Sequence, residues 1–208
     1  MQSAATIFVV DDDDAVRESL RVLLETSGYR IAAFSSGAAL LESLPPAAHG
    51  CVLVDLRMPG MGGFEVQKEL RRRGMDIPVI VITGHGDVPL AVRAMREGAV
   101  DFIEKPFTDE LIRAAIDRAL QLDRALQDER AGAAKIRDRA ALLTAREREV
   151  LDNLVAGHPN KVIAYRLSIS PRTVEIHRSR VMEKMQAHSL SELVRMALEA
   201  GLPLAPDA

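Results

Sequence analysis

The chain is most informative first in what it lacks. A single cysteine, Cys51, among 208 residues rules out a disulfide within the chain, and no zinc-binding pattern is present. Cys51 opens an apolar run, so it reads as a small core residue and not a reactive thiol. No apolar stretch approaches the roughly 20 residues needed to cross a bilayer. The start, Met1-Gln2-Ser3-Ala4-Ala5, has no basic segment followed by a long apolar one, so a cytoplasmic protein with no membrane partner is expected. What remains is an ordinary globular balance, 48% hydrophobic and 27% charged, long enough for two small domains.

Charge is distributed unevenly. Residues 1–123 hold 13 Lys and Arg against 19 Asp and Glu (net −6), residues 124–143 hold 5 against 3 (+2), and residues 144–208 hold 9 against 8 (+1). An acidic front half joined to a slightly basic back half fits a phosphorylation domain followed by a nucleic-acid reader.

Within the front half, Gly50-Cys51-Val52-Leu53-Val54-Asp55 is a continuous apolar run that ends in one carboxylate and breaks at Pro59-Gly60. Such a run reads as a fully buried strand of a parallel sheet, with Asp55 at its carboxyl edge, where open α/β sheets do their chemistry. Three further strands end in chemistry-bearing residues. Ile7-Phe8-Val9-Val10 leads into Asp11-Asp12-Asp13-Asp14, Val79-Ile80-Val81-Ile82 into Thr83, and Asp101-Phe102-Ile103-Glu104 into Lys105-Pro106. Ile31–Phe34 is the remaining strand, and helices over 15–27, 37–44, 63–73, 88–97 and 108–123 alternate with the five strands, which implies a parallel sheet covered on both faces. Gathered at one edge, these ends offer a nucleophilic carboxylate, an acidic pair for a hard cation, most plausibly Mg2+, and a hydroxyl and an ammonium for phosphoryl oxygens.

The pieces Val10-Asp11-Asp12, Asp55-Leu56-Arg57-Met58-Pro59, Thr83-Gly84-His85-Gly86-Asp87 and Gly98-Ala99-Val100-Asp101-Phe102-Ile103-Glu104-Lys105-Pro106 resemble the receiver domain of two-component response regulators. The resemblance implies a flavodoxin-like fold with Asp55 as phosphoacceptor, Asp11 and Asp12 as the metal pair with Asp55, and Arg57 lending its backbone carbonyl to the metal. It makes Lys105 the phosphate-binding lysine and Thr83 the switch hydroxyl, which moves inward on phosphorylation and frees space for Phe102. It also implies that the domain catalyses only its own phosphoryl transfer and autodephosphorylation. One departure is Gly62, where many relatives carry Asp or Ser; the helix cap there is expected to be weaker.

Residues 124–142 contain no proline and only Gly132. Ile112, Ala115, Ala119, Leu122, Leu126, Glu129, Ala133, Ile136, Ala140 and Leu143 recur at steps of three and four, so the last receiver helix is expected to run on into this linker, as a heptad seam or as a charged, solvated helix. From residue 143 to 208 the pattern is one of short helices. Thr144 and Glu147 form a capping box, Asn160 is expected to cap a short helix, and Ser170-Pro171 opens a longer one after the turn Ser168-Ile169. Two helices so closely joined suggest helix-turn-helix. Leu143-Thr144-Ala145-Arg146-Glu147-Arg148-Glu149-Val150-Leu151, Asn160-Lys161-Val162-Ile163-Ala164 and Ile169-Ser170-Pro171-Arg172-Thr173-Val174-Glu175-Ile176-His177 resemble the LuxR-type helix-turn-helix of the NarL/FixJ class, a four-helix all-α domain.

On the second helix of that pair Val174, His177, Val181 and Met185 are spaced to pack inward. The opposite stripe holds Arg172, Glu175, Ile176 and Ser179, beside Thr173; Ile176 suits a thymine methyl, and Glu175 is either an acceptor for a cytosine amino group or a surface charge. Lys161, Arg178, Arg180 and Lys184 are assigned to phosphates. The joint reading is a FixJ-like regulator: a sensor histidine kinase phosphorylates Asp55, and the phosphoprotein forms a homodimer, binds double-stranded promoter DNA and activates transcription, with RNA polymerase as a further partner. The alternative is a phosphotransfer receiver whose second domain contacts protein or RNA. In the helix after Thr83, Ala91, Ala94, Met95 and Gly98 are expected to face the sheet, leaving Val88, Val92 and Arg96 as the dimer face.

Overall fold

The computed structural model describes residues 5–84 and 86–202. His85, part of the Thr83–Asp87 motif, lies outside the described residues. Two compact units divide between Leu126 and Gln127.

The first unit alternates strand and helix: β1 (Thr6–Val10), α1 (Asp14–Thr26), β2 (Arg30–Phe34), α2 (Gly37–Ser43), β3 (Gly50–Asp55), α3 (Gly63–Arg72), β4 (Val79–Thr83), α4 (Val88–Arg96) and β5 (Asp101–Glu104), followed by α5 (Asp109–Ala141). The strands form one parallel sheet in the order β2-β1-β3-β4-β5. Every residue of β3 is buried, as its unbroken apolar run demands. Alternate residues serve opposite faces: Val52 and Val54 join Leu40, Val66 and Leu70 in one core layer, while Cys51 and Leu53 join Leu20, Leu24, Ile112 and Ile116 in the other. Burial pushes the Cys51 thiol pKa up, so it stays protonated and inert.

The chain order reverses between β1 and β3, and this is the topological switch point at which doubly wound sheets hold ligands. Asp11 follows β1 and Asp55 ends β3, so the two stand on either side of it.

Helix starts follow local chemistry. The side chains of Asp13, Ser36 and Asp87 cap α1, α2 and α4. Gly62 caps α3 without a side-chain hydrogen bond. Gly62 also has a steric reason to be glycine that its spacing does not reveal: a Cβ there would sit 2.6 Å from the Leu56 carbonyl oxygen.

The positions spaced as a heptad seam along α5 are divided between two cores. Ile112, Ala115 and Ala119 pack on the sheet, Ile136 and Ala140 belong to the core of the second unit, and Leu122 and Glu129 between them are exposed. The second unit continues with α6 (Ala145–Val155), α7 (Asn160–Leu167), α8 (Pro171–Met185) and α9 (Leu190–Glu199). The capping box of Thr144 and Glu147 forms. Asn160 is not the cap expected of it: Pro159 takes that place, Asn160 is the first helical residue, and its Oδ1 accepts from Arg178 Nη1 at 3.4 Å. Ser168, left-handed at φ 53, ends α7, and Ser170 caps α8 through the Thr173 amide.

Candidate functional site

At the carboxyl edge of the sheet, Lys105 reaches back from the residue after β5 into the β1–β3 crevice. Its Nζ donates to Asp11 Oδ2 at 2.6 Å and to Asp55 Oδ1 at 2.9 Å. Both carboxylates are buried, and each has its other oxygen on a backbone amide: Asp55 Oδ2 accepts from Arg57 N–H at 2.6 Å and Asp11 Oδ1 from Asp13 N–H at 3.0 Å. Burial alone would lower the Lys105 pKa. Hydrogen bonds and charge from Asp11 and Asp55 outweigh it, and the net direction is upward. Thr83, buried at the end of β4, accepts the Lys105 amide on its backbone carbonyl at 2.8 Å, which ties the β5 exit to the β4 exit.

The four consecutive acids after β1 have four different environments. Asp11 is in the crevice, Asp12 is exposed at its rim, Asp13 caps α1 through the amides of Ala15 and Val16, and Asp14 pairs with Arg17. Arg17 also donates to the Asp11 carbonyl at 2.7 Å, and so fixes the backbone next to the site. Its role is not evident from the motifs; the only local sign is an acid three residues before an arginine in a helix's first turn.

The groups expected to hold a cation, Asp11, Asp12, Asp55 and the Arg57 carbonyl, would offer oxygen atoms alone, the chemistry that a hard divalent cation takes. Among the described residues no three acidic groups already surround an ion-sized space, because Asp11 and Asp55 meet through Lys105 and Asp12 lies at the rim. Phe102 is half-buried against the core layer of α2–α4, with its ring edge 3.2 Å from where a Cβ on Gly86 would stand.

In the second unit, Val174, Val181 and Met185 are buried and His177 is half-buried, its Nδ1 without a hydrogen-bond partner among the described residues. Arg172, Glu175, Ile176, Ser179 and Arg180 are exposed on the other side of α8, with Ile176 48% exposed. Across the short turn, α7 exposes Lys161 and Tyr165.

Two family descriptions divide the chain: "Response regulator receiver domain" matches residues 7–117, and "Bacterial regulatory proteins, luxR family" matches residues 141–197. The transcriptional regulatory protein FixJ of Azorhizobium caulinodans is 52% identical over all of this chain and 99% of its own. The chain belongs to the FixJ-like response regulators. FixJ of Rhizobium meliloti is 51% identical over 94% of the chain and 96% of its own. Among solved structures, the response regulator StyR superposes with a TM-score of 0.78 at 40% identity, covering 95% of this chain and 100% of that one. Full-length FixJ from B. japonicum superposes with 0.58 at 46% identity, covering 97% and 100%.

As a FixJ-like regulator, the chain is a transcription regulator of a two-component system, with a receiver domain and a LuxR-type DNA-binding domain. Receivers bind Mg2+ at their acidic pocket and take phosphoryl from a histidine kinase. Among the described residues no helix is long and apolar enough to cross a membrane.

The structure redirects three residues of this regulator. Lys184, expected at phosphates, donates to Glu147 Oε2 at 2.6 Å and to the Leu142 carbonyl at 3.2 Å. The buried Glu147 carboxylate would otherwise lack a counter-charge, so it holds the ammonium inside the unit. Met95, expected against the sheet, is 49% exposed and continues the stripe of Val88 and Val92; Gly98, expected there too, is also exposed, while Ala94 is the buried residue of α4. The apolar residues of that helix form one arc broad enough for its spacing alone to admit more than one inward face, with Arg93 and Arg96 on the remaining side.

Proposed function

We propose that Asp55 is the phosphoacceptor, and that acyl phosphate at Asp55 converts this regulator into the promoter-binding homodimer that activates transcription with RNA polymerase. The observation that carries the reading is the bridge from Lys105 to Asp11 and Asp55. A carboxylate at a strand end, held by one ammonium and one amide, is a fixed nucleophile. In the transfer, an Asp55 oxygen bonds to phosphorus as the bond from phosphorus to the donor histidine's nitrogen breaks, and that nitrogen keeps the electron pair.

Lys105 then follows the larger negative charge from carboxylate to phosphoryl oxygens. Thr83 donates its hydroxyl to the same oxygens, and its displacement opens room for the Phe102 ring, shifting the population of α4–β5 packings. Asp11, Asp12, Asp55 and the Arg57 carbonyl would hold Mg2+. When bound, it screens the repulsion between Asp55 and the incoming phosphoryl group. Hydrolysis of the acyl phosphate in the same pocket resets the domain.

For the dimer, the exposed stripe Val88, Val92 and Met95, beside Arg96, supports a two-fold contact. At DNA, the first turns of α8 present Arg172, Thr173, Glu175, Ile176 and Ser179 to base edges, and Lys161, Arg178 and Arg180 meet phosphates. The test is duplex binding by the full chain with and without acetyl phosphate, at several salt concentrations. Phosphorylation should tighten a salt-dependent shift of a promoter duplex, and Asp55→Asn should remove the gain. Preferential binding of RNA over duplex DNA would instead make the second domain an RNA module.

A further inference from the structure

Two arginines near the end of α5 reach the carboxyl ends of other helices in the DNA-binding unit. Arg139 Nη1 donates to the Met185 carbonyl at 3.3 Å, and Arg137 Nη1 to the Ala200 carbonyl at 3.3 Å. Met185 is the last residue of α8 and Ala200 the cap of α9. The final carbonyls of a helix have no donor within the helix and form the negative end of its dipole, so a guanidinium there both satisfies and neutralises them.

The end of α8 is held by two further groups. Lys184 bonds the Leu142 carbonyl and Glu147, and Ile136 and Ala140 are buried in the same core as Val181 and Met185. Residues 136–142 thus belong to the DNA-binding unit as much as α6–α9 do, and they hold the end of α8 farther from Arg172, Glu175 and Ile176. A 15-residue helix is roughly 22 Å long. A tilt of about 3° at its clamped end therefore moves its tip by about 1 Å, enough to break hydrogen bonds to base edges.

We propose that Arg139 is a positioning residue for sequence-specific DNA binding: its bond to Met185 sets the angle at which α8 presents its amino end. It touches no base and no phosphate. The inference rests on the reading of α8 as the helix that enters the groove.

The test uses the full-length chain treated with acetyl phosphate and two duplexes of equal length. One is selected by the wild-type protein from a random pool, and the other is its scrambled counterpart. Arg139→Gln should lose about tenfold in affinity for the selected duplex and nothing for the scrambled one, with the salt slope unchanged. Arg139→Lys, which keeps a cationic donor, should recover most of the loss. Arg137→Gln, which frees α9 and not α8, should bind both duplexes as wild type does. Arg139→Met keeps the aliphatic stem and should repeat the selective loss if the glutamine variant is poorly folded. Arg172→Ala is the control for α8 itself, and its binding the selected duplex as wild type would overturn the reading of that helix. If Arg172→Ala loses binding but Arg139→Gln does not, the positioning role is overturned. Equal loss on both duplexes, whether from unfolding in both Arg139 variants or with a reduced salt slope that marks a phosphate contact, overturns it too.

Discussion

Lys184 on α8 and Glu147 on α6 are joined at 2.6 Å, and the carboxylate is almost wholly buried. The Lys184 ammonium and then the Thr144 amide hold the Glu147 carboxyl down to about 2, against a burial effect in the other direction. A depressed carboxylate contributes stability that is present above its unfolded pKa, near 4.3, and is lost as pH falls through the folded value. The DNA-binding unit should therefore lose stability as the pH falls from ~4 to ~2. Glu147→Gln should be less stable at pH 7 and flatter over that acid range. Urea unfolding of the full-length wild type and variant, followed through the helical signal of the second unit at each pH, checks both.

Gly62→Ala should destabilise the receiver by about 1–3 kcal/mol, because the added Cβ would lie 2.6 Å from a backbone oxygen and the turn after Asp55 must shift. Gly74→Ala is the comparison: no atom of the described residues lies within 4 Å of its added methyl, so only the positive φ of 66° is strained. Denaturant midpoints of the receiver transition measure the two. The Gly62 variant should also take up phosphoryl more slowly than the Gly74 variant, since only Gly62 adjoins the site.

Val92→Asp should be phosphorylated at the wild-type rate yet stay monomeric. Val92 is 44% exposed between Val88 and Met95, so the carboxylate is harmless in the monomer and costs several kcal/mol if a mate buries it without a partner. Sedimentation of the acetyl-phosphate-treated variant as a stable dimer would remove this face from the assembly.

The receiver was legible in the sequence wherever one element has one environment. Strand β3, buried on both faces, shows as an unbroken apolar run, and Ser170-Pro171 marks the start of α8 because cap and first-turn preferences are local. Asp11, Asp55 and Lys105 were legible as strand-end residues, since a parallel sheet collects its carboxyl ends at one edge. Reading failed where one residue type serves two purposes. The spacing along α5 looks continuous although its apolar positions serve separate cores. Met95 and Ala94 are both apolar neighbours, and only packing decides which is buried. Lys184 resembles a phosphate contact until the buried Glu147, 37 positions away in sequence, is brought beside it. Gly62 does cap α3 without a side-chain hydrogen bond, as read, but the steric demand of the Leu56 carbonyl leaves no trace in composition.

Mapping of the acyl phosphate decides whether Asp55 is the phosphoacceptor. The full-length protein is incubated with acetyl phosphate and Mg2+, and the phosphorylated residue is located by reductive trapping and peptide mass spectrometry, alongside Asp55→Asn. Asp55 stands buried 2.9 Å from the Lys105 ammonium, and an amide in its place is no comparable nucleophile, so the wild type should carry phosphoryl on Asp55 alone and the variant should carry none. Label on Asp55→Asn at the wild-type level, or wild-type label mapping to another residue, would contradict the account.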